Sequence, residues 1–201
     1  MRSTFAETVS IMARSFLFSS TRYYDFMNKK GWYVITGGPF AGKTTLLNAL
    51  QELGLNTEAE IARLYIDEEI AKGKTISEIR NDEATFQYAV HERKLLQHAH
   101  LPKESLIFFD RGLPDTIAYL RASNLPITPK VEKTISQYPY RKVFLLDLVG
   151  HTIDHARTES YETARRIQKE LYRAYQELDL PILKVPFMSL KDRIKFVLDN
   201  L

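Results

Sequence analysis

Cysteine is missing from all 201 residues, which rules out disulfide bonds and thiolate metal sites alike. No apolar run is long enough to cross a membrane: the best N-terminal stretch, Ile11 to Phe18, is interrupted by Arg14. The same stretch makes a poor secretory core, and the expected location is the cytoplasm. Internal repeats and low-complexity tracts are absent too. Charge of one sign is scarce outside the first 30 residues, where Arg2, Arg14, Arg22, Lys29 and Lys30 face only Glu7 and Asp25. The other 171 residues balance at 23 basic and 23 acidic. A neutral body argues against a broad nucleic-acid surface, so no nucleic-acid partner is expected.

What remains is a chain long enough for one α/β domain with its own core. Residues 1–30, Ser/Thr-rich and Arg-bearing, stand apart as an N-terminal extension. They read as a transit or interfacial helix, or as a misassigned start ahead of Met27. Residues 31–201 are expected to hold the whole chemistry, with residues 1–26 dispensable for it.

The stretch that decides the reading is WYVITGGPFAGKTT, residues 32–45. Trp32 to Ile35 is a buried strand by its apolar, β-branched character. Gly37, four residues, Gly42, Lys43 and Thr44 then fill the pattern G-x-x-x-x-G-K-[ST], and helical spacing runs from Thr45 to Leu53. Glycines let backbone N–H groups curl around phosphate oxygens, and the helix N-terminus adds its positive dipole end. The loop residues Gly37, Gly38, Pro39, Phe40, Ala41, Gly42, Lys43, Thr44 and Thr45 are therefore expected to bind the phosphates of ATP, with GTP as the alternative. Lys43 can reach the β- and γ-phosphates, and the Thr44 hydroxyl can ligate Mg²⁺.

Downstream, Leu55 to Glu58 reads as a weak strand, followed by a helix with Ile61, Leu64, Tyr65 and Ile70 on one side. Asn81 or Asp82 caps a longer helix to about His100, with Phe86, Val90 and Leu95 in the core. Gln87, His91 and Glu92 face outward or into a cleft, and His91, His98 and His100 are expected to be solvated. Ser105 to Phe109 is a third strand, ending in Asp110-Arg111-Gly112. An acid there is the generic second site of P-loop proteins and holds Mg²⁺ directly or through water. A short helix spans Pro114 to Leu120, another starts at Thr128-Pro129, and Lys142 to Leu148 is a fourth strand. Residues 150–160 form a basic loop before an amphipathic helix, Tyr161 to Leu178. Pro181 to Val185 is the fifth strand, and Ser189 caps a last helix with Ile194, Val197, Leu198 and Leu201 on its apolar face. Five short buried strands alternating with helices predict a parallel, doubly wound, three-layer α/β sheet.

The segments ITGGPFAGKTT, EAEIAR, FQYAVHER, FFDRGLPDTIAYL, RTESYETARRIQKELYRAYQEL and a late Val185-Pro186 occur here in order. Together they resemble a small AAA-type P-loop ATPase family. That family groups the kinase domain of the bacterial NadR protein with the TRP-like translocation defect protein of flies. The similarity covers Gly31 to Leu201, and its Asp-Arg pair is also similar to that of thymidylate and nucleoside kinases. The resemblance implies strand order 2-3-1-4-5 with Asp110 beside the P-loop. It adds Pro186 to the nucleotide contacts, Arg111 to the catalytic set, and a lid in HTIDHARTESYETARR whose catalytic arginine is Arg157, Arg165 or Arg166. Nucleoside kinases use an acid after the second strand and a helical glutamine to hold the acceptor. Here these match Glu60 and Gln87, with Arg63 and Arg111 nearby and Phe86 or Tyr119 for stacking.

Three functions fit. A phosphotransferase on a small hydroxyl-bearing, nucleoside-like acceptor needs positioning and charge neutralisation, which Lys43, Thr44 with Mg²⁺, Asp110 (metal partner or base) and the lid arginines supply. A nucleotide-dependent switch needs no acceptor pocket; its Ras-like form is disfavoured because no Asn-Lys-x-Asp follows the fourth strand, which ends in Leu145-Leu146-Asp147-Leu148. A nucleic-acid-coupled ATPase fits the neutral body worst.

Overall fold

Every residue of the first strand, β1 (Trp32–Thr36), is buried, as its unbroken apolar run requires of a central parallel strand. The structure, a computed structural model, describes residues 29–148 and 161–201. After β1 come α1 (Lys43–Glu52), β2 (Asn56–Glu58), α2 (Ile61–Ala71), α3 (Ile76–Ile79) and α4 (Glu83–Ala99). Next are β3 (Ile107–Asp110), α5 (Pro114–Ala122), α6 (Pro129–Thr134), β4 (Tyr140–Leu146), α7 (Tyr161–Gln176), β5 (Ile182–Val185) and α8 (Leu190–Asp199). The N-terminal segment before residue 29 and the expected loop at 150–160, with Arg157, lie outside the described residues.

The strands form one parallel sheet in the order β2-β3-β1-β4-β5, the order that the resemblance implies. Alternation divides β1 between two cores. Tyr33 and Ile35 join Leu46, Leu50, Phe108, Phe144 and Val197 beneath α1 and α8, while Trp32 and Val34 join Phe109, Val143 and Tyr175 on the opposite face. Ile35 pairs with Asp110 and Thr36 with Leu145. The P-loop and the end of β3 therefore open into one crevice at the carboxyl ends of the strands, where ligands bind in such sheets.

Side-chain caps set the starts of α4, α6 and α8. The Asp82 carboxylate accepts from the Thr85 N–H at 3.0 Å, Thr128 accepts from Val131, and Ser189 accepts from Asp192. Three expectations shift. The first helix begins at Lys43 rather than Thr45, because Gly42 in the left-handed region turns the chain directly into it. The fourth strand runs from Tyr140 to Leu146, drawn upstream by pairing of Tyr140 with Trp32. On α2 Ile61 is the one buried apolar residue, with Tyr65 and Ile66 packed beside it, while Leu64 and Ile70 are exposed.

The expectation of solvated histidines fails for two of the three. His91 and His98 are 0 % and 1 % exposed; His100 alone is at the surface. The reason is a second stripe on α4: Gln87, His91, Lys94 and His98 recur at helical spacing and turn inward beside the apolar one. His91 Nε2 lies 2.7 Å from Thr134 Oγ1, whose own proton goes to the Lys130 carbonyl, so Nε2 donates and Nδ1 accepts from Thr116. His98 Nδ1 donates to the Lys94 carbonyl at 2.7 Å and Nε2 accepts from the Tyr140 hydroxyl, itself an acceptor for the Leu113 N–H. Phe109 stacks on the His98 ring at 4.5 Å, and Trp32 meets it edge-on at 5.3 Å.

Burial, with the charge of Lys94 contributing, holds both histidines neutral, down to about 4 from the ordinary 6.5. In the unfolded chain they take up protons at higher pH than in the fold, so stability is full above about 6.5 and falls as pH drops toward about 4. We expect the melting temperature to fall between pH 7 and pH 4.5, and replacing both histidines with glutamine to flatten that slope. A slope unchanged in the double variant would contradict the account.

Candidate active site

The P-loop takes its shape from two glycines. At Gly37, φ is 150° and an added Cβ would lie 2.7 Å from the Leu146 carbonyl oxygen, so the loop lies directly against β4. At Gly42, φ is 79°, the left-handed turn from which α1 starts. No side chain caps α1, and its first N–H groups stay available for an anion. Lys43, 7 % exposed, bends back across the loop, donating to the Gly37 carbonyl at 3.1 Å and the Gly38 carbonyl at 3.0 Å. Burial, then the nearby Arg111 charge, lowers its ammonium to about 8.

Two distant side chains fix the loop from behind, and neither was legible in the sequence. From α7, Gln168 Oε1 accepts the Gly38 N–H at 2.6 Å while its Nε2 donates to the Leu146 carbonyl at 2.9 Å. From α8, Arg193 Nη1 donates to the Ala41 carbonyl at 2.9 Å, its guanidinium 5.2 Å from the Phe187 ring.

At the end of β3, the Asp110 carboxyl is buried and one of its oxygens, Oδ1, has no hydrogen-bond partner. Burial and the neighbouring Glu60 charge raise it to about 6. Arg111 follows with φ at 71°, held by its N–H bond to the Ile35 carbonyl at 3.1 Å. Its guanidinium donates to Glu60 at 2.7 Å, lies 3.6 Å from Asp115, reaches the Gly37 carbonyl at 3.5 Å and covers the Tyr119 ring at 4.9 Å. Burial opposes its charge, but Tyr119 and the three carboxylates Glu60, Asp115 and Asp110 keep it firmly protonated. Burial likewise pushes Glu60 up, yet Arg111 and Lys43 outweigh it and hold the carboxyl below its ordinary value.

Asp115 is a missed residue of this knot. Its Oδ1 accepts from Thr36 Oγ1 at 2.6 Å, and its Oδ2 accepts from the Gly112 N–H at 3.0 Å and from the Tyr175 hydroxyl. The sequence signal was available only as an acid in the first turn of α5, which reads as an ordinary dipole partner.

A cleft of about 550 Å³ extends from the P-loop across these groups. It gathers Pro39, Phe40, Gly42, Lys43, Thr44 and Thr45 on one side and Glu60, Arg63, Phe86, Gln87, Arg111 and Tyr119 on the other. Lys94 and Arg80, which the sequence reading left out, line it as well. Glu60 pairs with Arg111, not with Arg63. Gln87 donates to Glu83 at 2.8 Å, and Phe86 carries the Arg80 guanidinium at 4.5 Å from its ring. Gly38, Ala41 and Asp110 lie off the cleft wall. Arg165 faces a separate hollow of about 490 Å³ with Tyr161, Lys169 and Lys184; Arg166 and Pro186 are exposed.

Magnesium fits this donor set on chemical grounds. Mg²⁺ takes one or two protein oxygens and completes its shell with water and phosphate. Asp110 offers a buried carboxylate oxygen lacking a partner, and Thr44 a hydroxyl on the cleft wall. Among the described residues no group of three or more His, Asp or Glu gathers as a self-sufficient metal cage.

The profile of the AAA domain family matches residues 32–193. The chain belongs to this family. No curated protein matches it. Among solved structures, NadR in complex with NR aligns with a TM-score of 0.60 at 21% identity, over 89% of this chain and 52% of that one. Deoxyadenosine kinase from M. mycoides with bound dCTP gives 0.57 at 16% identity, over 84% and 97%. Thymidylate kinase from Ehrlichia chaffeensis gives 0.57 at 14%, over 85% and 97%. At these identities the AAA domain shares the fold of such P-loop kinases. No helix among the described residues is long and apolar enough to cross a membrane.

Replacing Asp115 with asparagine puts a donor where Thr36, Gly112 and Tyr175 also donate, inside a buried knot. We expect a loss of about 2 to 4 kcal/mol in urea unfolding. A shift of the urea midpoint within error of wild type would contradict the network.

Proposed function

We propose that this AAA domain is a Mg²⁺-dependent kinase that moves the γ-phosphoryl group of ATP to a hydroxyl of a small, nucleoside-like acceptor. The observation that carries this reading is the continuous cleft, which places a carboxylate, Glu60, and the planar Arg111 opposite the P-loop lysine. A switch that only binds and slowly hydrolyses nucleotide has no use for such a chamber. The fold shared with nucleoside and nucleotide kinases points the same way.

In this reading the P-loop N–H groups and Lys43 bind the donor phosphates, and Lys43 exchanges its two loop carbonyls for phosphate oxygens. Thr44 and Asp110 hold Mg²⁺, which supplies charge neutralisation on the donor phosphates when bound. Glu60 accepts a hydrogen bond from the attacking hydroxyl, and its pairing with Arg111 keeps it ionised for that task. Gln87 offers its amide oxygen to the acceptor, with Phe86 and Tyr119 as apolar walls. Transfer then depends on positioning and charge stabilisation rather than covalent chemistry.

Lys43→Met and Asp110→Asn should each lower acceptor-dependent ADP formation by roughly a hundredfold or more. Asp110→Asn should weaken nucleotide binding only modestly, because its charge acts mainly on the transition state. Glu60→Ala should lower kcat as well as raise the acceptor's KM, Gln87→Ala should raise mainly the KM, and both should leave nucleotide affinity near wild type. ADP release that no nucleoside, nucleotide or vitamin precursor accelerates, and that survives Lys43→Met, would sink the proposal.

A further inference from the structure

The charges lining the cleft do not cancel. Five cations, Lys43, Arg63, Arg80, Lys94 and Arg111, face two carboxylates, Glu60 and Asp115. Both carboxylates are engaged by Arg111, at 2.7 and 3.6 Å. Arg80 is matched by Glu83 at 2.7 Å, beside the cleft. Lys43 serves the donor phosphates in the reading above, and Asp110 lies within its field. Two cations are left over.

Lys94 is the more telling of them. It is 3 % exposed, yet its ammonium donates only to the Gly112 carbonyl, at 2.8 Å, and lies within salt-bridge distance of no carboxylate among the described residues. An ammonium has three N–H donors, so two of its donors meet no protein acceptor. A buried cation is tolerated when paired and hydrogen-bonded, and this one is neither fully. Burial lowers its proton affinity, to about 8, although the more distant carboxylates of Asp115, Glu60 and Asp110 pull the other way. Arg63, on α2 across the same cleft, is exposed and has no ion-pair partner among the described residues.

We propose that the acceptor is an anion, a small hydroxyl-bearing molecule whose phosphate monoester or carboxylate group seats against Lys94 and Arg63. A neutral acceptor would fill the space but leave the buried Lys94 ammonium with two unmet donors and Arg63 without an ion-pair partner. An anionic one supplies the counter-charge and the missing acceptors together. This inference rests on the kinase reading for the attacking hydroxyl, but its binding component can be read without turnover.

The test uses the full chain with Mg²⁺ and a nonhydrolysable ATP analogue for calorimetry, and Mg-ATP for ADP release. Matched compounds differ only in the anion: each common nucleoside against its 5′-monophosphate, and uridine against orotidine, which adds a ring carboxylate. We expect at least one anionic member to bind at least tenfold more tightly than its neutral partner and to show the same preference in kcat/KM. The arm that responds separates phosphate from carboxylate. Lys94→Met, similar in length but neutral, should erase that preference by raising the KM for the anion while moving that of the neutral partner little. Because Lys94 is buried, Arg63→Ala, at an exposed position, provides a second variant in which the preference should fall several-fold with the melting temperature held. Neutral compounds binding as well as their anionic partners, or a preference untouched in both folded variants, would overturn the anion site. Selective anion binding without accelerated ADP release would uphold the site and overturn the transfer reading instead.

Discussion

The buried guanidinium of Arg111 is the constraint around which the carboxyl ends of the strands are arranged. Its backbone sits in the left-handed region, which costs a non-glycine residue of order 1 kcal/mol or more. The cost is offset because its N–H extends the β1–β3 ladder onto Ile35 and its side chain finds four partners. Through those partners one cation ties the P-loop to α2 by way of Glu60 and to α5 by way of Asp115. P-loop, α2, α5 and sheet are therefore held to one another.

Around that knot the helices supply hydrogen bonds as much as apolar area. Asp115 gathers Thr36, Gly112 and Tyr175, and Tyr140 links the Leu113 N–H to His98. Such networks stabilise only when their members are satisfied. Among the described residues near the P-loop, Asp110 Oδ1 and Arg193 Nε are buried without a partner, and two N–H donors of Lys94 meet no protein acceptor. In the proposed reading Asp110 and Lys94 are where a metal ion and an anionic substrate group would contribute most.

The phosphate loop was legible from the sequence because a backbone cradle demands particular residue types at fixed spacing: Gly37 and Gly42 are needed for a close approach and a left-handed turn. The buried strands were legible because parallel strands need unbroken apolar runs, and Glu60, Arg63, Phe86, Gln87, Arg111 and Tyr119 do line one cleft. Gln168 was not legible, since it meets Gly38 across 130 residues and looks like any polar residue on an amphipathic helix. In the stripe Gln87, His91, Lys94, His98 the two histidines were misread for a related reason. Its spacing was visible, but polarity suggested solvent, and only the packing of α5 and α6 turns that face inward.

The fate of the γ-phosphoryl group tests this picture most directly. Full-length protein is given Mg²⁺, γ-labelled ATP and a mixture of nucleosides and their monophosphates, and the products are separated. The account predicts label in an organic phosphoester or phosphoanhydride, with its formation lost when Arg111 is replaced by methionine in a protein that still folds. Label appearing only as inorganic phosphate, at a rate the mixture does not change, would contradict it.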